Sequence, residues 1–263
     1  MRVFNNPKLS LRAKRSNLMI ASRDCFVASA PRNDIKNNQA IPAQTGVVIV
    51  GAGSSQRMGV DKVFTPLAGK PLLAWSVDVC QNCELVSQIV IVLRENNLDL
   101  GRKLAAERGW SKVVEMCLGG KRRQDSVRQG LSKLKGCDWV VIHDGVRPFL
   151  TLDLIRDGLE AAKIAGAAVA AVPVKDTIKL GGDDLMVKGT LNRQELWVVQ
   201  TPQVFRFDII IKAHEQITGD VTDDASMVEQ LGYKVKLYRG SYGNIKITTP
   251  EDLALAEVIA RNK

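Results

Sequence analysis

Histidine is scarce in this chain: only His143 and His214 occur among 263 residues. No Ser-His-Asp or Cys-His nucleophile system is visible, which argues against chemistry that needs a protein nucleophile. His214 falls mid-helix and reads as a surface residue. His143 reads as a hydrogen-bonded strand-end residue rather than a base. Cysteine is sparse and odd in number, at positions 25, 80, 83, 117 and 137. Cys80-x-x-Cys83 has no second pair to complete a zinc site, so reduced thiols are expected. No apolar run reaches the ~18 residues of a membrane span, so no membrane association is expected and a cytoplasmic location is. Two familiar phosphate loops are also missing. No Gly-Lys-Ser/Thr tripeptide occurs, and the dinucleotide fingerprint would need glycine where Gln56 stands. No internal repeat is present.

The net charge of +9 is concentrated at one end. Residues 1–44 hold eight basic and two acidic residues; the remainder holds 29 basic against 26 acidic, only +3. The body is therefore no nucleic-acid binder on charge grounds. Residues 1–44 are rich in Arg, Lys, Ser and Asn, without a lasting helical or strand period. Three readings stay open: translation of an interspersed DNA repeat ahead of a true start near Thr45, a disordered arm, or a targeting segment. The segment is expected to be disordered and dispensable, with the functional domain spanning residues 45–263. No second enzyme is expected fused after the final helix.

What the chain does have is a stretch at residues 47–73, VVIVGAGSSQRMGVDKVFTPLAGKPLL. Four β-branched residues read as a buried strand. Gly51, Ala52 and Gly53 follow, small enough for backbone N–H groups to approach an anion. Arg57 and Lys62 then supply fixed positive charge. Strand, small-residue loop and cation suit a polyphosphate.

Beyond it, strands at residues 89–93, 113–117, 139–142 (ending at His143-Asp144) and 167–172 alternate with helices at 71–79, 98–108, around 127–134, and 151–165. This predicts an α/β fold: a mostly parallel mixed sheet with helices on both faces. Between residues 173 and 200 the alternation fails. Gly181-Gly182-Asp183-Asp184 lies between short mixed segments and reads as a β-arm leaving the main sheet. Helices return at 207–217 and 223–231, with strands expected at 235–238 and 245–247. Thr249 and Pro250 open the last helix.

Ligands in such sheets sit beyond the carboxyl ends of the strands. Three groups fall there: the opening loop, GGKRRQDS at 119–126, and HDGVRP at 143–148. Ser126 could hydrogen-bond a sugar or base. Lys121, Arg122 and Arg123 are either ligand contacts or a solvated charge cluster. Asp144 is either an oxygen ligand for Mg²⁺ or a structural cap or ion-pair partner. With no nucleophile in view, phosphoryl or nucleotidyl transfer fits, since positioning and charge neutralisation carry most of that chemistry.

Taken together, VVIVGAGSSQRMG, PLAGKPLL, GGKRRQDSV, HDGVRP, DTIK (176–179), LNRQELWVVQTPQVF, TDDAS and NIKITTPEDL resemble the 2-C-methyl-D-erythritol 4-phosphate cytidylyltransferase family, in order and over residues 46–263. The resemblance implies a Rossmann-like nucleotidyltransferase fold, Mg²⁺ as cofactor, and CTP and a phosphorylated sugar alcohol as substrates. It also implies a homodimer in which each β-arm reaches the other subunit. On this resemblance Arg57, Lys62 and Lys246 are the catalytic cations. Gly120, Ser126 and Gly145 lie at the cytidine, and Asp144 at the metal and ribose. Thr177 and Arg193 bind the alcohol's phosphate from the arm, and Arg147 and Thr201 complete the pocket.

One stretch departs from the family. Its lysine usually stands in a Pro-Lys-Gln context, two residues further from the arginine. Val60-Asp61-Lys62-Val63-Phe64 is shorter and resembles the loop of molybdenum-cofactor nucleotidyltransferases. A cytidylyltransferase for that cofactor or for ribitol 5-phosphate, or a non-catalytic nucleotide-binding homologue, are the alternatives.

Overall fold

The computed structural model describes residues 43–53 and 62–262. Arg57 lies outside the described residues. So does the expected disordered extension, apart from its last two residues.

The body opens with β1 (Thr45–Val50), buried along its whole length. A 3₁₀ turn at Lys62–Phe64 and a small ladder of β2 (Pro66–Leu67) with β3 (Lys70–Pro71) lead into α1 (Leu72–Gln81). Then come β4 (Gln88–Leu93), α2 (Leu98–Arg108), β5 (Val113–Leu118), α3 (Arg123–Leu131), β6 (Trp139–Asp144), α4 (Leu152–Ala165) and β7 (Ala167–Pro173). The second half holds β8 (Lys179–Gly181), β9 (Val187–Thr190), β10 (Trp197–Arg206), α5 (Phe207–Gln216), α6 (Asp224–Gln230), β11 (Lys236–Arg239) and α7 (Pro250–Arg261).

Among the described residues, seven strands form the main sheet in the order β11-β7-β10-β6-β1-β4-β5. β10 runs antiparallel to both its neighbours; every other adjacent pair is parallel. The predicted mostly parallel sheet is therefore observed. Period-two side-chain alternation divides β1 between two cores. Val47 and Ile49 pack with α1 and α4, whereas Val48 and Val50 pack with α3, α5 and α6. Each such buried side chain contributes about 1.5–3 kcal/mol of apolar burial. With both faces of β1 covered, its carboxyl end is fixed as a platform for the loop that follows.

Two expectations need correction. The expected arm at residues 173–200 is too long at its end, because residues 197–200 already belong to a strand of the main sheet. That strand is β10, whose Trp197 and Val198 pair with β7. The arm ladder itself is β8 with β9. Proline at 202 cannot donate to a ladder, and the register shifts between Val199 and Gln203, so the sequence there carries no clean strand signal. Residues 245–247 are not a strand. Ile247 is fully buried beside Leu67, Leu72, Phe149 and Ala256, and its N–H donates to the Val146 carbonyl at 2.9 Å. The β-branched pattern there serves a small core under α7.

Helix starts follow their caps. The Thr151 hydroxyl accepts from Leu154 N at 3.2 Å. Before α7, Thr249 accepts from Asp252 N while the Asp252 carboxylate accepts from Thr249 N, a reciprocal box that fixes the preceding residue Thr248.

Candidate active site

The carboxyl ends of β1, β4, β5 and β6 meet at a cleft of about 620 Å³. Its walls include Gly51, Ala52, Gly53, Lys62, Gly120, Ser126, Asp144 and Lys246. The structure brings these eight sequence-predicted residues together in one cleft wall. Gly145, Arg147, Thr177, Arg193 and Thr201 are not in that wall, and Arg57 lies outside the described residues.

Small residues at two strand ends are required by close approach. A Cβ on Gly119 would stand 2.2 Å from the Ala52 Cβ, and one on Gly120 would stand 2.3 Å from the Asp125 Cβ. Glycine at 119 lets the segment after β5 meet the segment after β1, and glycine at 120 lets it fold tightly onto the first turn of α3. Gly51 differs from expectation in one respect. Its N–H already donates to the Val92 carbonyl at 2.7 Å, so it shapes the wall rather than offering a donor. Ser126 is also engaged: its hydroxyl accepts from Gly120 N at 3.0 Å and donates to the Arg122 carbonyl at 3.2 Å. It holds the loop in shape.

Asp144 is the electrostatic centre. Its side chain is 8% exposed. Arg123 Nε lies 3.1 Å from Oδ1; Lys246 Nζ lies 2.9 Å and Arg147 Nε 3.6 Å from Oδ2. Burial alone would raise the Asp144 pKa, but Arg123, Lys246 and Arg147 outweigh it and hold the carboxyl well below the usual range. Asp144 is thus ionised at neutral pH, with Oδ1 held by Arg123 and Oδ2 by Lys246 and Arg147. Burial lowers the Arg147 pKa, partly offset by Asp144; its Nη1 donates to the Asn244 carbonyl at 2.8 Å. Lys62 Nζ donates to the Thr248 carbonyl at 2.6 Å, so the lysine of the shortened loop does reach the cleft.

Thr201 and His143 sit beneath Asp144. The Thr201 hydroxyl accepts from Asp144 N at 3.1 Å and lies 3.2 Å from His143 Nδ1; His143 Nε2 lies 3.0 Å from the Arg147 carbonyl. The carbonyl can only accept, so Nε2 carries the proton and Nδ1 accepts from Thr201. His143 is therefore a neutral pin for the 144–147 turn, as its strand-end position suggested. Burial pushes its pKa down to about 4.

This has a consequence for stability. The unfolded chain protonates His143 near pH 6.5, while the folded chain resists until about pH 4. Between these values the unfolded state binds more protons, so stability rises with pH there. It is fully present above pH 6.5 and is lost as pH falls through 4. Urea midpoints should show about 2 kcal/mol of loss between pH 7.5 and pH 5. In His143→Gln that loss should shrink, and an unchanged pH slope in the variant would remove His143 as its source.

The other histidine corrects the sequence reading. His214 is not a surface residue; it is 5% exposed and lies against Asp224. The signal was present: Ile209, Ile210, Ala213 and His214 are the buried positions of α5, two i,i+4 pairs on one face. Arg123, Asp224, Arg94 in the cleft wall and Asn244 were also not singled out individually.

A seven-stranded mixed sheet with a cation-lined cleft at its strand ends fits an α/β nucleotidyltransferase, the class to which its relatives belong. The comparisons narrow that class. The family model described as 2-C-methyl-D-erythritol 4-phosphate cytidylyltransferase (IspD) matches residues 45–262, and the chain belongs to that family. A protein of that name from Dehalococcoides mccartyi is 51% identical over 219 residues, covering 83% of this chain and 96% of the relative. Among solved structures, 4-diphosphocytidyl-2C-methyl-D-erythritol synthase from Anaerococcus prevotii aligns with TM-score 0.75 at 30% identity, over 84% of this chain and 97% of that one. The 2-C-methyl-D-erythritol 4-phosphate cytidylyltransferase from Thermus thermophilus aligns with TM-score 0.68 at 31% identity, over 81% and 98%.

Proposed function

We propose that this chain transfers CMP from CTP to 2-C-methyl-D-erythritol 4-phosphate, giving the CDP-linked alcohol and pyrophosphate in non-mevalonate isoprenoid biosynthesis. The observation that carries the reading is Asp144 among Arg123, Arg147 and Lys246 at the head of β6, in a chain of this family. A phosphate oxygen of the acceptor attacks the α-phosphorus of CTP. The bond from that phosphorus to the β-phosphate's bridging oxygen breaks, and pyrophosphate leaves with the electron pair. The acceptor phosphate has a second pKa of ~6 and is already ionised at neutral pH, so no general base is needed. The neutral, doubly bonded His143 agrees with that.

Two anions must meet, so repulsion is the main obstacle. Lys62 and Lys246 from the cleft wall, with Arg57, which lies outside the described residues, would offset it. Gly120, Ser126 and Gly145 would shape the cytidine pocket, and Arg147 and Thr201 would hold the turn that carries Asp144. Among the described residues no cluster of three or more acidic, His or Cys ligands exists. Asp144 is the one carboxylate among the described residues of the cleft wall, and its Oδ2 is paired with Lys246 at 2.9 Å, so it would reach Mg²⁺ once that ammonium turns to the substrate phosphates; Mg²⁺ takes few protein ligands and completes its shell with phosphates and water. Asp144 would hold it, and when bound it supplies charge neutralisation at the phosphates.

The homodimer is part of the proposal. The arm and the strand beside it expose Leu180, Leu185, Met186, Val187, Val198 and Val199, an apolar surface that suits a second copy. Thr177 and Arg193 lie at the arm's base, where Arg193 Nη1 donates to the Lys175 carbonyl at 3.0 Å. From there they would bind the acceptor's phosphate in the neighbouring cleft. Arg193→Ala should raise KM for the acceptor about tenfold or more while KM for CTP stays near wild type. A defect confined to CTP would overturn the arm assignment. No helix among the described residues is long and apolar enough to cross a membrane. Buried free thiols at Cys80, Cys83, Cys117 and Cys137 support a reducing, cytoplasmic setting.

The direct test is pyrophosphate release from CTP, in parallel with methylerythritol phosphate and ribitol 5-phosphate. Release should require the first acceptor, with equal rates for the full chain and for residues 45–263. No release with methylerythritol phosphate would overturn the reading. A slower short form would show that residues 1–44 contribute.

A further inference from the structure

The loop from β11 to α7 touches both the cleft and the root of the arm. Its first turn is held on several sides. Gly240 N donates to the Ala171 carbonyl at 2.9 Å, and a Cβ on Gly240 would stand 2.5 Å from Gln200 Oε1. Glycine there lets the Gln200 amide grip Ser241 twice: Nε2 donates to the Ser241 carbonyl at 2.9 Å, and Oε1 accepts from Ser241 N at 3.3 Å. The Ser241 carbonyl also accepts from Asn244 N at 3.0 Å, and the Ser241 hydroxyl accepts from Gly243 N at 3.2 Å, which closes the turn. Asn244 Nδ2 then donates to the Thr201 carbonyl at 2.8 Å, and two residues further on stands Lys246 of the cleft wall.

Tyr242 projects from this turn. It is 48% exposed, yet its hydroxyl and its ring both have partners. The hydroxyl donates to the carbonyl of Pro173, the last residue of β7, at 2.8 Å. The Lys175 ammonium lies over the ring, 3.7 Å from its centroid. Both partners belong to the root of the arm. β7 pairs with β10 as far as Pro173 and Trp197, and Val174 N donates to the Leu196 carbonyl at 3.0 Å. Beyond lie β8 and β9, exposed along most of their length, so the arm takes its direction at this root. Lys175 is also where Thr177 and Arg193 are anchored: Thr177 follows two residues later, and Arg193 donates to the Lys175 carbonyl.

An exposed hydrogen bond and an exposed cation–π contact add little to folding stability, because water serves a carbonyl and an ammonium almost as well. What water does not supply is direction. We infer that Tyr242 is a positioning residue for the acceptor: it pins Pro173 and Lys175 to the fixed 240–244 turn and so sets where Thr177 and Arg193 meet the acceptor's phosphate. It acts through Lys175 rather than on the substrate itself. The inference rests on the reading of the arm as the element that holds that phosphate.

The test measures KM for methylerythritol phosphate and for CTP in the full chain, with Arg193→Ala as reference. The variants are Tyr242→Ala, Tyr242→Phe, Lys175→Met and the Tyr242→Ala/Lys175→Met double. Tyr242→Ala should raise acceptor KM about fivefold, the effect of one or two such contacts, while kcat and KM for CTP stay near wild type. Tyr242→Phe keeps the ring over Lys175 and should fall between the two. The double variant should match Tyr242→Ala, since Lys175 has already lost its ring there. A Tyr242→Ala enzyme whose two KM values rise together has a merely structural Tyr242, and fully additive losses in the double variant mean that Lys175 acts on its own; either result overturns the inference. So does an unmoved acceptor KM in Tyr242→Ala where Arg193→Ala raises it. Should Tyr242→Ala fail to fold, an unmoved acceptor KM in Lys175→Met overturns it equally. If Arg193→Ala itself leaves acceptor KM unmoved, the arm reading fails first, and the inference with it.

Discussion

Asp144→Asn should lower kcat/KM for CTP by about 10²–10³-fold, the largest single effect expected in this chain. The carboxylate is the negative group that would hold a divalent cation at the phosphates, and loss of one such preorganised charge contact commonly costs 10²–10³-fold. The same variant should also lose stability. Arg123, Arg147 and Lys246 all face this side chain, and Arg147 Nε is buried with no hydrogen bond of its own. Removing one partner of a buried ion pair leaves uncompensated charge, at a cost of about 3 kcal/mol or more. The two losses are separable. Activity measured well below the variant's melting point reports the chemistry, and the urea midpoint reports the network. A folded Asp144→Asn enzyme within tenfold of wild-type kcat/KM would remove Asp144 from the centre of the site.

That Asp144 mattered was legible from position: a carboxylate at a strand end beside small-residue loops. That it is held by Arg123 was not. GGKRRQDS presents three adjacent cations, and their spacing cannot say which turns inward. The structure separates them by partner: Arg123, the first residue of α3, pairs with Asp144 of β6 and Asp224 of α6, while Arg122 pairs with Asp125 and Asp220, and all three cations line the cleft. The fold was legible where apolar runs were continuous, as in β1, β4 and β7, because parallel strands buried on both faces carry an unbroken apolar signal. It was illegible in β10, where Pro202 breaks the ladder and exposed Val198 and Val199 precede buried Val204 and Phe205. Residues 245–247 misled for the opposite reason. β-branched residues were present, but the segment's burial comes from α7 and its surroundings rather than from a strand partner. Ser126, Thr201 and His143 were found as site residues or strand-end residues without their partners. Their hydrogen bonds join positions up to 58 residues apart, which local pattern cannot reveal.

Lys62→Ala should lower turnover by about 10²-fold while changing KM for CTP by less than tenfold. The spacing from Arg57 to Lys62 is shorter than the family usually has, so it was open whether the ammonium could reach the phosphates. The structure answers part of this through Val63, which is 2% exposed and packs in the core with Leu73 and Val77 of α1. Burying Val63 fixes the backbone on which Lys62 stands, and the Thr65 N–H closes the turn onto the Lys62 carbonyl at 3.1 Å. From that fixed point the ammonium reaches the Thr248 carbonyl, which the α7 capping box in turn holds still. A cation preplaced by two packed elements pays little reorganisation when charge builds at the α- and β-phosphates, so its contribution should fall mainly on kcat. Lys246 is 40% exposed and should give a smaller loss when replaced by Ala, because water screens it in the open cleft. Single-turnover pyrophosphate release for both alanine variants would rank them. A Lys62→Ala enzyme within threefold of wild type would mean that the shortened loop has moved the catalytic charge elsewhere, with Arg57 and Lys246 carrying it.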